Sequence, residues 1–185
     1  VVEGEDVTLE EPLRVEEKID GSYIILFHTG ERWVATTRHT FCACDPPYLS
    51  LILEAAGVAS LAVLAQQAGL DPAMTWCLEL FSAQTRIIQP FEEPRLYLLA
   101  GVGTTTRQTL SPQALDGVAA RVDFLRRPHH YAQCQTRAEA EALVSSLGAA
   151  DMLFEGVVMT GAAGRRLKVK SPTYRLLGRL KYKGW

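Results

Sequence analysis

Val15-Glu16-Glu17-Lys18-Ile19-Asp20-Gly21-Ser22 is the stretch on which the reading of this chain turns. Val15 to Lys18 reads as strand, and an acidic-glycine turn follows. Gly21 lets the backbone turn tightly beside the lysine. A lysine amine is useless as a nucleophile while it is protonated at its ordinary pKa of roughly 10. Burial or neighbouring cations lower that value and expose the lone pair. Taken alone, Lys-x-Asp-Gly is more often a surface turn. Its weight comes from what lies downstream.

Three later segments supply what such a lysine would need. Glu79 stands in the apolar run Cys77-Leu78-Glu79-Leu80-Phe81, where a buried carboxylate needs a partner. Glu155-Gly156 precedes Val157-Val158-Met159. A carboxylate at the edge of a buried strand can hold a divalent metal through oxygen. Lys168 and Lys170 alternate around Val169, so both face one side of a strand. There they could lower the pKa of Lys18 or neutralise nucleotide phosphates. Each segment alone has a plainer reading: an exposed strand face for the two lysines, a turn for Glu155-Gly156.

Working outward, Leu13 to Glu17 reads as a strand. Ser22 to His28 and Arg32 to Thr37 read as a hairpin across Thr29-Gly30-Glu31. Asp45-Pro46-Pro47 breaks the chain before an Ala/Leu-rich stretch that ends near Gly69 and Pro72. Thr75 to Phe81, Thr85 to Ile88 and Arg95 to Val102 read as strands. Ser111-Pro112 opens a helix, and Arg126 to His130 is a loop. Thr136 with Glu139 has capping-box form, with Gly148 as the expected stop. Phe154 to Thr160 and Arg165 to Lys170 form a last hairpin. The elements lack a regular βαβ rhythm, so the expected class is α+β, with antiparallel sheets and flanking helices.

Bulk properties narrow the function classes. The chain has 185 residues, 48 % of them hydrophobic, which suits one domain with a real core. A net charge of −2 argues against a generally basic nucleic-acid binder, so polyanion contacts must be local. Cys42, Cys44, Cys77 and Cys134 show no paired metal spacing and read as reduced thiols of a cytoplasmic protein. Cys42-Ala43-Cys44 has no second pair to complete a metal site. No signal peptide is visible. Tyr48 to Leu70 imitates a membrane span, but Glu54, Gly57, Gln66 and Gln67 interrupt it, and a pair of core helices is the expectation. Trp33 and Trp76 read as core. His129-His130 beside Arg126 and Arg127 is a solvated loop, or a grip on RNA phosphates.

The ordered set Lys18-Ile19-Asp20-Gly21, Glu79, Glu155-Gly156 and Lys168-Val169-Lys170 resembles the signature of the covalent nucleotidyltransferases. That superfamily comprises ATP-dependent DNA and RNA ligases and mRNA capping enzymes. Its pattern is K-x-D-G, a mid-chain acidic residue, E-G, then K-x-K. The details are most similar to the phage-type, RNA ligase 1-like branch. Ser22 directly follows the glycine, where DNA ligases more often carry an arginine one residue further on, at the place of Tyr23. Leu78-Glu79-Leu80 and Thr85-Arg86-Ile87-Ile88 resemble the branch's E and N-R-I-V segments, with Thr85 in place of Asn. Lys168-Val169-Lys170-Ser171-Pro172-Thr173-Tyr174 matches its K-x-K-S-x-x-Y. The resemblance runs from about Val15 to Leu177.

The resemblance implies a nucleotidyltransferase (ATP-grasp-like ligase) domain over residues 1–185, without the upstream segment and C-terminal accessory domain of such ligases. It implies that Lys18 attacks the α-phosphate of ATP and holds AMP as a phosphoramidate. Asp20 and Gly21 would shape the presenting loop, and Arg38 would contact the nucleotide or a phosphate. Glu79 would bond the ribose hydroxyls and Glu155 would bind or orient Mg2+ or Mn2+. Lys168 and Lys170 would hold the α-phosphate, with Val158 and Tyr174 lining the adenine pocket. The implied activity is ATP-dependent RNA ligation in RNA repair: AMP passes to an RNA 5′-phosphate, and a 3′-hydroxyl displaces it. The expected partners are RNA ends and an accessory domain or partner chain, not a membrane. The alternatives are a DNA ligase, a capping guanylyltransferase and a catalytically idle RNA-binding module.

Overall fold

The computed structural model describes residues 9–38, 40, 48–84, 88, 93–161 and 164–183, with the side chains of 181–183 excepted. Two compact units emerge. The first comprises residues 1–19, 87–89 and 128–185, the second residues 20–86 and 90–127. The boundary falls inside the Lys-x-Asp-Gly tetrapeptide, between Ile19 and Asp20.

The first unit is built on a three-stranded antiparallel sheet of β1 (Arg14–Glu17), β7 (Gly156–Thr160) and β8 (Arg166–Lys170), with β7 in the centre. Period-two alternation decides what each face carries. Val15, Val157, Met159 and Leu167 point into a core with Leu13, Cys134, Ala140, Val144 and Phe154. Helix α4 (Arg137–Ala150) covers that face. Its start is the expected capping box: Thr136 accepts from the Glu139 amide, and the Glu139 carboxylate accepts from the Thr136 amide. Gly148 does not stop it, which corrects the expected end. The glycine is there because Ser171 packs on it: a Cβ would lie 3.0 Å from Ser171 Cβ. A helix unforeseen from the sequence, α5 (Pro172–Lys183), follows β8 directly and packs on α4.

The second unit holds a five-stranded sheet ordered β3 (Trp33–Thr36), β2 (Ser22–His28), β4 (Met74–Phe81), β5 (Arg95–Gly103), β6 (Leu125–Arg126). Its pairings are antiparallel except β5 with β6, which is parallel. Wholly antiparallel sheets are therefore corrected at this one edge, where Leu125 and Arg126, the latter expected in a loop, pair with β5. Trp76, Leu78, Leu80, Leu96 and Leu98 form one face of the core. Trp76 is 2 % exposed and its indole donates to the Asp71 carbonyl. The apolar stretch Tyr48–Ala68 has a mean hydropathy of 1.9, enough for a membrane span by composition. It is instead two helices, α1 (Tyr48–Ala56) and α2 (Leu61–Ala68), each less than half the roughly 20 residues a span requires. Gly57 at φ 63° breaks the first, and the Ser60 hydroxyl caps the second. Leu51, Ile52, Ala56, Leu64, Ala65 and Ala68 enter the core. Helix α3 (Pro112–Ala119) starts at Ser111, as the Ser-Pro signal requires.

Candidate active site

The face of the three-stranded sheet opposite its core is charged. Register places its residues in rows, because directly paired residues project to the same side. Lys18 continues β1, its amide donating to the Gly156 carbonyl at 2.9 Å, and Gly156 pairs with Lys170. The next row runs Glu16, Val158, Lys168, and the row beyond it Arg14, Thr160, Arg166. The lysine alternation read from the sequence therefore holds: Leu167 is in the core and Val169 packs against it, while Lys168 and Lys170 take the other face.

At the first row two ammoniums converge on one carboxylate oxygen. Lys18 Nζ lies 2.8 Å and Lys170 Nζ 3.0 Å from Glu155 Oε1. The Glu155 side chain is 1 % exposed, and the lysines are 20 % and 25 % exposed. The contacts are ion pairs rather than aligned hydrogen bonds, and Oε2 also has no hydrogen-bond donor among the described residues. The cluster is thus two cations on one buried anion, and Lys168 adds charge on the same face. The excess positive charge, open to solvent only on the lysine side, suits a phosphate.

Backbone geometry makes this convergence possible. Gly156 has φ +138°, and a Cβ there would run into the Val169 carbonyl oxygen and approach Lys170 Cα to 2.8 Å. Only glycine permits both the angle and that approach. The Ser171 amide donates to the Glu155 carbonyl at 2.9 Å. The Ser171 hydroxyl accepts from the Tyr174 amide at 3.4 Å and starts α5. Tyr174 is thereby buried, with Lys170 Nζ 5.8 Å from its ring centroid, within cation–π range. Glu155 fits a divalent cation in one way. Its buried Oε2 supplies a single hard oxygen ligand. The described residues contain no group of three His, Cys, Asp or Glu, so the remaining ligands would be water and substrate phosphate oxygens, the usual Mg2+ pattern.

The other candidates lie in the second unit. Glu79, 9 % exposed, pairs with Tyr23 on β2 and Tyr97 on β5. It projects from the sheet face opposite Leu78 and Leu80. Gly21 lies against this strand, where a Cβ would come 2.5 Å from the Leu80 carbonyl oxygen and 2.9 Å from Glu79 Cγ. Asp20 is 1 % exposed. Arg38 is exposed on a turn closed by hydrogen bonds between Thr37 and Thr40. Thr85, Arg86, Ile87, Cys42 and Cys44 lie outside the described residues. Cys77 and Cys134 are buried.

The Arg126-to-His130 segment divides by role. Arg127 is structural: its guanidinium bonds Asp116 at 2.8 Å and the Leu98 carbonyl. His130 bridges to Glu16 along the free edge of β1. The row Glu16, Val158, Lys168 therefore gains a fourth member in a residue first read as loop. Sequence reasoning also passed over Glu16 and Arg14, which form an ion pair at 3.0 Å on this face. The two-residue alternation from Lys18 was the signal for them. On the core side of β1, burial raises the Glu17 carboxyl above its ordinary range; the charge of His129 opposes the shift and that of Asp151 adds to it. Burial, followed by the Glu17 and Cys134 charges, pushes the Tyr131 hydroxyl to about 12.

No family model and no curated protein matches the chain by sequence. Its structure does match solved structures. An archaeal ATP-dependent RNA ligase superposes with a TM-score of 0.67 at 16 % identity, over 89 % of this chain and 44 % of that one. A putative ATP-dependent DNA ligase from Aquifex aeolicus gives 0.67 at 18 %, over 91 % and 46 %. A mutant Naegleria gruberi RNA ligase with ATP and Mn gives 0.68 at 13 %, over 90 % and 51 %. The chain thus spans about half the length of these proteins. Its fold is the one that these RNA and DNA ligases share over that half.

Proposed function

We propose that this chain is the adenylyltransferase core of an ATP-dependent RNA ligase, with Lys18 as the residue that carries AMP. The observation that carries this reading is the convergence of Lys18 and Lys170 on buried Glu155. A surface turn or a solvated strand face gives no reason to bury a carboxylate beneath two lysines.

In this reading Lys18 Nζ, once it has lost its proton, attacks the α-phosphorus of ATP. A P–N bond forms as the bond to the pyrophosphate oxygen breaks. Glu155 Oε1, 2.8 Å away, keeps the amine in place and is positioned to accept its proton. Lys170 and Lys168 face the α-phosphate and stabilise the charge that builds on its oxygens. The Tyr174 ring fixes the Lys170 ammonium, and half-buried Val158 offers adenine an apolar surface. Bound Mg2+ or Mn2+, with Glu155 as its protein ligand, supplies neutralisation of the phosphate charge. Glu79 takes the ribose hydroxyls, Asp20 and Gly21 shape the loop after the lysine, and Arg38 takes a phosphate. In the second step an RNA 5′-phosphate oxygen displaces Lys18 from the AMP phosphorus. In the third a 3′-hydroxyl displaces AMP. Each is an in-line displacement governed by positioning and electrostatics.

The choice of RNA rests on Ser22 and on Lys168-Val169-Lys170-Ser171-Pro172-Thr173-Tyr174. Buried Cys77 and Cys134, read as reduced thiols, agree with a reducing, cytoplasmic setting for RNA repair. DNA sealing is the second reading, favoured by the equal match to the Aquifex DNA ligase. The test is retention of label from α-labelled ATP but not GTP, followed by chase with single-stranded RNA or nicked DNA bearing a 5′-phosphate. Transfer of AMP to RNA ends supports the proposal. Preferential transfer to the nick overturns the RNA assignment, retention of GTP label indicates capping, and retention of neither indicates an idle binding module.

A further inference from the structure

Helix α5 segregates charge in a way the proposed chemistry does not use. It carries Arg175, Arg179, Lys181 and Lys183 and no acidic residue, so it is +4 while the remaining residues of this net −2 chain sum to −6. Its two faces differ. Tyr174 is buried, and Leu177 and Gly178 are half-buried, with Gly178 turned toward Ile88. Arg175, Leu176, Arg179 and Leu180 share the outer face by the i, i+4 rule. Leu176 is 56 % and Leu180 39 % exposed. The helix begins at Pro172, two residues beyond Lys170, so its first turn follows the lysine cluster directly in the chain.

We propose that the outer face of α5 is a docking surface for the sugar-phosphate backbone of single-stranded RNA leading to the reactive end. Arg175 and Arg179 contact successive phosphates, and Leu176 and Leu180 lie under the sugars and bases. Charge complementarity selects this occupant: a helix with four basic and no acidic residues, in an acidic chain, follows in sequence directly on the lysines of the proposed phosphate site. A membrane surface suits the face less well, because two leucines flanked by arginines are a narrow apolar stripe beside the broad one an interfacial helix buries. The proposal rests on the ligase reading for the identity of the strand.

The test compares wild type with Arg175→Glu/Arg179→Glu in binding a fluorescent 5′-phosphorylated single-stranded RNA across a salt series, with self-adenylylation measured in parallel. Loss of two phosphate contacts should weaken binding at least tenfold at low salt. It should also flatten the slope of log affinity on log salt by about 1.4, at about 0.7 per contact, with self-adenylylation unchanged. A fold check by circular dichroism and the milder Arg175→Gln/Arg179→Gln pair guard against a charge-reversal artefact. Unchanged RNA affinity and slope overturn the proposal, even with self-adenylylation intact. So does a loss confined to phosphatidylserine vesicles, which would mark a membrane face. Absence of self-adenylylation in wild type would instead sink the ligase reading.

Discussion

Removing both lysines from Glu155 should cost more than removing each in turn, and the excess measures how closely they converge. Lysine to methionine keeps most of the stem and deletes the charge. Each ammonium lies about 3 Å from Oε1, an attraction of about 5 kcal/mol at an effective dielectric constant of 20. The two ammoniums can be no more than about 6 Å apart and repel each other by about 3 kcal/mol on the same scale. Lys18→Met therefore loses one attraction but relieves the repulsion, and Lys170→Met does the same. The double variant loses both attractions and relieves the repulsion only once. It leaves a carboxylate of 1 % exposure with neither cation, a change of about 3–5 kcal/mol. The double should then exceed the sum of the singles by roughly the repulsion, about 2 kcal/mol after screening at the partly exposed lysines. Urea unfolding of the four members of the cycle at neutral pH reads this directly. Additivity within about 0.5 kcal/mol would refute the shared-oxygen geometry.

Other perturbations probe separate links. Gly117→Ala in α3 meets open space and should stabilise by about 1 kcal/mol, whereas Gly148→Ala in α4 meets Ser171 and should lower the melting temperature. Equal gains would contradict the packing of α4 on Ser171. Thr136→Ala removes the capping-box hydroxyl and should cost about 1 kcal/mol, read by denaturant midpoint. The Glu17 carboxyl is held above its ordinary range chiefly by burial. Folding therefore favours its protonated form, and stability falls as pH rises from the unfolded carboxylate range through the folded value. Glu17→Gln should remove that part of the decline, so its midpoint gains on wild type as pH rises from the ordinary carboxylate range toward neutrality. A constant offset across that range would show that Glu17 titrates alike in both states.

Much of this molecule was legible because local and tertiary preferences agree. Ser22–His28 alternates, and it is a strand with Ile24 and Leu26 in the core. Thr136 and Glu139 specify a helix start without tertiary help. The lysine pair around Val169 could be placed on one face by strand geometry alone, and it lies there. What escaped depended on distant partners. Gly148 reads as a stop unless Ser171 is known to sit on it. Arg126 reads as loop until β5 offers it and Leu125 a parallel edge. Helix α5 was missed although Ser171-Pro172 repeats the signal of Ser111-Pro112. The convergence of Lys18 and Lys170 on Glu155 joins residues from three separate segments of the chain. Spacing supplied the candidates, but only the register of β1, β7 and β8 brings them to one oxygen.

The most direct test of the account is an intact mass spectrum of the purified chain after incubation with ATP and Mn2+ or Mg2+, followed by peptide mapping. A gain of one AMP, acid-labile as a phosphoramidate and mapped to Lys18, is the predicted result, with Lys18→Ala carrying none and Lys170→Ala little. No adduct on a folded wild-type chain, or an adduct that persists in Lys18→Ala, would contradict it.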